Sequence, residues 1–306
     1  MELKTRSESD ELLKMRYLNN RMTLSDDDKT RYTTLEKGYE GELKFDSLIH
    51  GLTDNFITLN DLLFEVNNQH FQIDTLIIKQ HSINPFEVKN LEGDYYIKNE
   101  KWYSCFGTPI TNPISQMERS EVLLRRLLLK LGYSTVNPNL VFVNPSFHLY
   151  HAPMNKQIVF PNQLNRFLTS LDKQPSVLDD SHFILAERLL SLHIKTSPYS
   201  KVPKYEYKQL RKETYCGLCF SFNLVVSNHT LVCSNCGHKE SVSSAILRSV
   251  REYMLLFPER KVTTSGVMEW CGIINTKKAI RKVLSANYKL VEHGRTSFYL
   301  PNDIDS

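Results

Sequence analysis

Two Cys-x-x-Cys units, Cys216-Gly217-Leu218-Cys219 and Cys233-Ser234-Asn235-Cys236, are separated by thirteen residues. Each unit forms a tight knuckle that offers two thiolates. Brought together they make a closed tetrahedral four-sulfur site, the donor set and geometry that suit Zn²⁺. A segment of this length has too little apolar surface for a core of its own, so a structural zinc, worth on the order of 10 kcal/mol, has to hold it together. With four thiolates no coordination position stays open, and the metal is expected to be structural. The intervening residues Phe220–Val232 read as a hairpin turning at Ser227-Asn228, and Gly217 and Gly237 are expected to supply backbone freedom in the knuckles. Two alternatives are a redox dithiol pair and a site in which His229 or His238 replaces a cysteine. Cys105 and Cys271 have no sequence partner and read as buried or idle thiols.

The 306 residues are 41% apolar and 24% charged, enough chain for roughly two domains. No apolar run reaches the roughly 20 residues of a membrane helix, and Met1–Asp10 is charged with no hydrophobic export segment behind it. Cysteines paired as metal ligands in such a chain point to a reducing, cytoplasmic setting and no membrane partner. The net charge of +4 says little by itself, but its distribution is uneven. Residues 173–306 carry 19 basic and 12 acidic groups, so a polyanion is expected to be gripped by the C-terminal part.

Periodicity predicts helices over 7–20 and 26–50, the second opened by Ser25 and three aspartates. Short β runs follow at Leu63–Val66, Phe71–Ile78, Pro85–Lys89 and Tyr95–Lys98, spaced as an antiparallel meander. Asn112-Pro113 starts a helix to about Leu131, then come a strand at Leu140–Val143 and helices near 162–171 and 179–194. Within this region several charges stand where apolar residues belong. Glu42 shares a helical stripe with Leu35, Phe45 and Ile49; Asp74 interrupts Phe71–Ile78, and alternation places it on one face with Leu76 and Ile78. Glu87 and Lys89 are two apart on the next strand and so project together. Two carboxylates on neighbouring strands beside a lysine form an arrangement that binds hard Mg²⁺ or Mn²⁺ and stabilises charge on a phosphoryl group. The bland alternative is a set of solvent-facing charges on an edge strand.

The ordered series Gly38-Tyr39-Glu40-Gly41-Glu42, Phe71-Gln72-Ile73-Asp74, Phe86-Glu87-Val88-Lys89-Asn90 with Glu92-Gly93, and Asn112-Pro113-Ile114-Ser115-Gln116 with Arg119 resembles the nuclease-related domain family. That family is a branch of the PD-(D/E)xK restriction-endonuclease-like superfamily, and the resemblance covers roughly residues 34–150. It implies an α/β fold with a mixed sheet flanked by helices, and Glu42, Asp74, Glu87 and Lys89 at a Mg²⁺ or Mn²⁺ site. Asp74 and Glu87 would be ligands, Glu42 an added ligand or water-orienting base, Lys89 the electrostatic group. Gln116 would lie at the rim, and Arg119 one turn later would touch a phosphate. Ile73 replaces the superfamily's usual Pro. Tyr95, Tyr96, Trp102 and Tyr103 read as cross-strand packing in preference to base stacking. His148 and His151 read as surface residues.

The four-cysteine segment resembles a zinc ribbon. After it, helices are predicted over Ser244–Phe257, Thr264–Cys271 and Asn275–Ser285, then a hairpin of Tyr288–Glu292 and Arg295–Leu300. This layout resembles a winged helix, with Lys277, Lys278, Arg281 and Lys282 on the third helix and Arg295 on the wing as DNA contacts. The expected organisation is a helical extension (1–33), a nuclease-related domain (34–196), a linker (197–212), a zinc ribbon (213–241) and a winged-helix-like domain (242–306). The function expected is metal-dependent hydrolysis of DNA phosphodiester bonds. The rival is a catalytically inactive protein that recognises DNA through the same fold.

Overall fold

The computed structural model describes residues 1–302 apart from 53–54, 155–156, 275, 293 and 295–296. The chain forms two compact units, Met1–Glu8 with Thr33–Tyr199, and Ser9–Tyr32 with the residues from Ser200 onward. Among the described residues no helix is long and apolar enough to cross a membrane.

The first unit begins with β1 (Glu2–Lys4). The chain then supplies α1 (Asp10–Arg21) to the second unit and returns along α2 (Asp26–Ile49). Three long strands follow, β2 (Ile57–Val66), β3 (Gln69–Lys79) and β4 (Ser82–Lys89), and pair as an antiparallel meander. β5 (Gly93–Lys98), β6 (Lys101–Ser104) and β7 (Pro109–Ile110) come next. α3 (Pro113–Lys130) starts at Asn112, whose side chain accepts the Ile114 amide, with Pro113 at the position where a missing N–H costs nothing. β8 (Asn139–Phe142), β9 (Phe147–Tyr150), β10 (Ile158–Val159), α4 (Leu164–Lys173) and α5 (Asp180–Leu192) complete the unit.

The main sheet has the order β1-β2-β3-β4-β8-β10 and is mixed: β1 lies parallel on β2, and β8 and β10 extend β4 in parallel. The meander therefore does not continue into Tyr95–Lys98 as expected. A parallel neighbour needs a crossover of a dozen or more residues, and β5, β6, β7 and α3 supply it. Those strands form a second sheet, β7-β6-β5-β9, in which β5 and β9 are parallel. One face of the main sheet packs Ile77, Phe86, Val88 and Val141 against Phe45 and Ile49 of α2 and the leucines of α4. The other packs Leu76 and Ile78 against Leu124 and Leu128 of α3 and Leu185 and Leu189 of α5. Leu140 and Phe142 join Met117 of α3 to Trp102, Phe147 and Leu149 of the second sheet.

The second unit holds β11 (Leu224–Ser227), β12 (Thr230–Cys233) and β13 (Lys239–Ser241), an antiparallel sheet one strand larger than the expected hairpin. α6 (Val242–Leu256), α7 (Thr264–Cys271) and α8 (Lys277–Asn287) lead to the hairpin of β14 (Lys289–Val291) and β15 (Phe298–Leu300), and Val262 bridges Tyr299. α1 belongs to this core. The Arg21 guanidinium is fully buried, paired with Glu252 of α6 at 2.6 and 2.8 Å, and lies 3.9 Å from the ring centroid of Trp270 in α7. Residues 1–33, expected as one extension, are thus divided between the two units. The expected linker is also anchored: Leu210 is buried, the Tyr205 hydroxyl donates to the Leu256 carbonyl at 2.7 Å, and Tyr207 stacks on Trp270.

Candidate functional site

The charges singled out by sequence meet where the regular ladder of the main sheet is interrupted. β3 and β4 pair as far as Thr75↔Phe86, and the next positions in that register, where the pairing stops, are Asp74 and Glu87. On the other side of β3 the β2 register runs Asn60↔Thr75 and then Leu62↔Ile73, passing over Asp61 and Asp74. Asp61 has φ of 51°, a left-handed backbone, and the register is the same on either side of it, so the two strands skip one pair without an inserted residue. The apolar stripe changes parity there on both strands, from Leu62, Phe64, Phe71 and Ile73 to Ile57, Leu59, Leu76 and Ile78. Strict alternation therefore cannot be counted through Asp74. Freed from the ladder, Asp74 uses its own side chain as a backbone substitute: Oδ2 accepts the Val88 amide at 2.7 Å.

Lys89 Nζ donates to Glu87 Oε1 at 2.6 Å and to Gln116 Oε1 at 3.1 Å, so α3 meets the end of β4 at this point. Glu42 arrives from α2 by a close approach of backbones. A Cβ at Gly41 would lie 2.4 Å from Cβ of Asn90, just past β4, and Asn90 Nδ2 donates to the Lys37 carbonyl at 2.7 Å. Only glycine lets this turn of α2 come so near. Arg119, one turn beyond Gln116, is exposed and has no hydrogen bond to this group among the described residues.

Arg6 completes the cluster, and no periodicity or motif marks it in the sequence. Its side chain is 2% exposed. It donates to Glu42 Oε2 at 2.6 Å, to both carboxylate oxygens of Asp46 at 2.7 and 3.0 Å, to the Asp74 carbonyl at 2.8 Å and to Thr75 Oγ1 at 3.0 Å. Asp46 lies one helical turn after Glu42, the spacing that puts both on one face of α2.

Burial and crowding of like charges set the electrostatics. Burial first, then Asp74, pushes Glu42 up to about 8 against the opposing pull of Arg6. Burial and Asp74 push Glu87 up to about 7, with Lys89 opposing. Burial also raises Asp74, offset by Lys89, the Val88 amide and Arg6. For Lys89 burial favours the neutral amine, but Glu87 and Asp74 outweigh it and keep the ammonium charged. Three crowded carboxylates beside the Arg6 and Lys89 cations are an oxygen-rich donor set of the kind that hard divalent cations occupy.

In the second unit the Sγ atoms of Cys216, Cys219, Cys233 and Cys236 lie within 4.8 Å of one another, and among the described residues neither His229 nor His238 joins them. The Cys216–Cys236 and Cys219–Cys233 separations are 3.7 and 3.6 Å. A tetrahedron with Zn–S bonds of about 2.3 Å has edges of about 3.8 Å, so the donors fit Zn²⁺. Each knuckle needs one left-handed residue after its second cysteine. Gly237 takes it at φ 73°, whereas in the first knuckle Phe220 does, at φ 58°, and not Gly217 as expected. Gly217 is instead close to the Arg248 side chain, at 3.3 Å from its virtual Cβ. Cys271 is buried and Cys105 exposed, both apart from the cluster.

Residues 37–145 match the nuclease-related domain family. No curated protein and no solved structure matches the chain. The matched nuclease-related domain contains Glu42, Asp74, Glu87, Lys89, Gln116 and Arg119, together with Asp46 and Asp61; Arg6 lies outside it. Lys277, Lys278, Arg281 and Lys282 are exposed on α8, opposite the buried Ile280, Val283 and Leu284. Arg295 lies outside the described residues. His148 and His151 are exposed.

Proposed function

We propose that the chain is a divalent-metal-dependent DNA nuclease whose second unit, a zinc ribbon followed by a winged-helix-like tail, binds DNA. The observation that carries the reading is the group formed by buried Asp74 and Glu87 with half-buried Glu42 and Lys89 in the part of the chain that matches the nuclease-related domain. Burying several ionised carboxylates together is costly, and a bound cation is the partner that repays it. Asp74 and Glu87 would hold Mg²⁺ or Mn²⁺, with Glu42 as a further ligand; such an ion supplies Lewis-acid polarisation and lowers the pKa of water.

The chain's own residues do the rest. Lys89, pinned between Glu87 and Gln116, places a fixed positive charge where the phosphoryl oxygens become more negative. Glu42, held by Arg6, would orient the attacking water if it is not itself a ligand. Asp74 spends one oxygen on the Val88 amide, which fixes its plane. Arg119, exposed one turn beyond Gln116, would contact a flanking phosphate. In the second unit Cys216, Cys219, Cys233 and Cys236 would hold zinc, which would tie the knuckles to the β11–β13 sheet, and the four exposed cations of α8 would meet phosphates.

Cleavage of supercoiled and linear DNA in Mg²⁺ or Mn²⁺, compared with Asp74→Ala and Lys89→Ala, tests the site, with circular dichroism as the folding control. The wild type is expected to cut, and each folded variant to lose at least about a hundredfold in rate. DNA binding without cleavage by the wild type would instead assign the inactive, regulatory role. Binding through α8 should also be salt-dependent. Four neutralised phosphates give a log–log slope of about −3.6, and alanine at Lys277, Lys278, Arg281 and Lys282 should reduce it by about that amount. An unchanged slope would remove α8 from the interface.

A further inference from the structure

The second sheet of the first unit has one face in the core and one outside. Trp102, Phe147 and Leu149, with Tyr95 and Ile97, fill the inner face. The residues between them in sequence face outward, and the registers align them. Tyr96 is opposite Tyr103 on β6 and beside Tyr150 on β9, and Tyr103 is opposite Pro109 on β7. One row therefore crosses all four strands, aromatic on β6, β5 and β9 and proline on β7. The Tyr96 and Tyr103 rings stack at 5.3 Å and 16°. Tyr150, 51% exposed, packs edge-on to His148 at 4.4 Å and not against its neighbour Tyr96. Beyond the row Phe106 stands 91% exposed in the turn between β6 and β7.

The charges beside this row have an unusual placement. Lys98 and Lys101 are both exposed and directly opposite each other across β5 and β6. Like charges in that position repel and weaken the pair. An anion seated between them reverses the sign of that interaction. At the other end of the row Asp94 is opposite His148, and Glu100 lies in the turn between the lysines. Aromatic rings at strand spacing next to a paired cationic site match the two parts of an unpaired nucleotide strand, whose bases stack while its phosphates seek positive charge.

We propose that the outer face of the β7-β6-β5-β9 sheet binds single-stranded nucleic acid, its bases on Tyr96, Tyr103 and Tyr150 and a phosphate between Lys98 and Lys101. The inference names the form of nucleic acid presented to the proposed nuclease centre and rests on that reading only for its purpose. A duplex, whose base faces are already stacked on each other, offers nothing to this row. A neutral carbohydrate would use the rings without the lysines.

The test uses the full chain with zinc retained and no Mg²⁺ or Mn²⁺ added. A single-stranded oligonucleotide of about a dozen nucleotides, substituted with 5-iodouracil, is irradiated with the protein, and adducts are mapped by mass spectrometry. Adducts at Tyr96, Tyr103 or Tyr150 are expected, and they should be absent with the same sequence as duplex. Anisotropy should show about a fivefold or greater loss for Tyr150→Ala, an exposed site where the change leaves the fold intact, and a further loss for Lys98→Ala with Lys101→Ala. No adducts, adducts confined to residues beyond Ser200, equal adducts with duplex, or displacement by a neutral glucan would each overturn the proposal. Cleavage in Mg²⁺ or Mn²⁺ is scored separately. Tyrosine adducts without wild-type cleavage would preserve this inference and remove the nuclease reading, and cleavage without adducts would do the reverse.

Discussion

Arg6 is a residue whose loss separates the site's architecture from its chemistry. It satisfies Glu42 and Asp46 at once and ties both to the β3 backbone. Removing one partner of a buried charge pair leaves the other unpaired, so Arg6→Ala should cost about 3–5 kcal/mol in urea unfolding. Arg6→Lys should recover only part of this, because an ammonium cannot match the forked contacts to Asp46. A stability change below about 1 kcal/mol, the range of an exposed pair, would show that Arg6 is no clamp. The carboxylates also make stability depend on pH. Glu42 and Glu87 titrate near 8 and 7 in the fold, above about 4.3 in an unfolded chain. The folded state then binds more protons, so their contribution is complete below about pH 4 and is lost as pH rises through 7 and 8. Without divalent ions the melting temperature should fall between about pH 5 and pH 9, and Glu87→Gln, which stays neutral, should fall less steeply. Parallel slopes for the two proteins would contradict this assignment.

At the scale of elements, the approach of α2 to the end of β4 decides whether Glu42 reaches the cluster. Gly41→Ala puts a methyl 2.4 Å from Asn90 Cβ, a contact that rigid atoms near the backbone cannot absorb. Overpacking of this kind costs about 1–3 kcal/mol, and Asn90→Gly in the same chain should restore much of it. If the double variant were no better than Gly41→Ala alone, the clash would lie elsewhere. Elements such as these were readable where a local pattern dictates them. The Cys-x-x-Cys pairs, the Asn112-Pro113 helix start and the Glu87-x-Lys89 spacing each fix neighbours within a few residues, and the structure gathers Glu42, Asp74, Glu87, Lys89 and Gln116 around one point. What escaped the sequence depends on distant pairing. The parallel β5–β9 and β4–β8 ladders join strands some fifty residues apart, and no local pattern chooses them over a meander. The left-handed backbone at Asp61, where β2 and β3 skip one pair, reverses the parity on which any count of faces relies. Arg6 follows a three-residue strand too short to show a period.

For the whole molecule, the decisive feature is that the first 32 residues serve both units. Met1–Glu8 adds β1 to the main sheet and Arg6 to the acidic cluster, whereas Ser9–Tyr32 adds α1 and the buried Arg21–Glu252 pair to the other core. A detachable extension could be removed at no cost; this segment cannot. The two tryptophans report on the units separately, since Trp102 is buried in the first and Trp270 in the second. In a Trp270→Phe background, fluorescence follows the first unit, and in a Trp102→Phe background the second. Deleting residues 1–32 should lower the unfolding midpoint in both backgrounds. Arg21→Ala in the Trp102→Phe chain should destabilise by about 3–5 kcal/mol, the cost of leaving Glu252 buried and unpaired. Deleting only residues 1–8 should act on the Trp102 signal first, because it removes β1 and Arg6 and leaves α1 in place. Unchanged midpoints after the 32-residue deletion would show that the segment is an appendage after all, and that neither Arg6 nor Arg21 has the structural weight assigned to it.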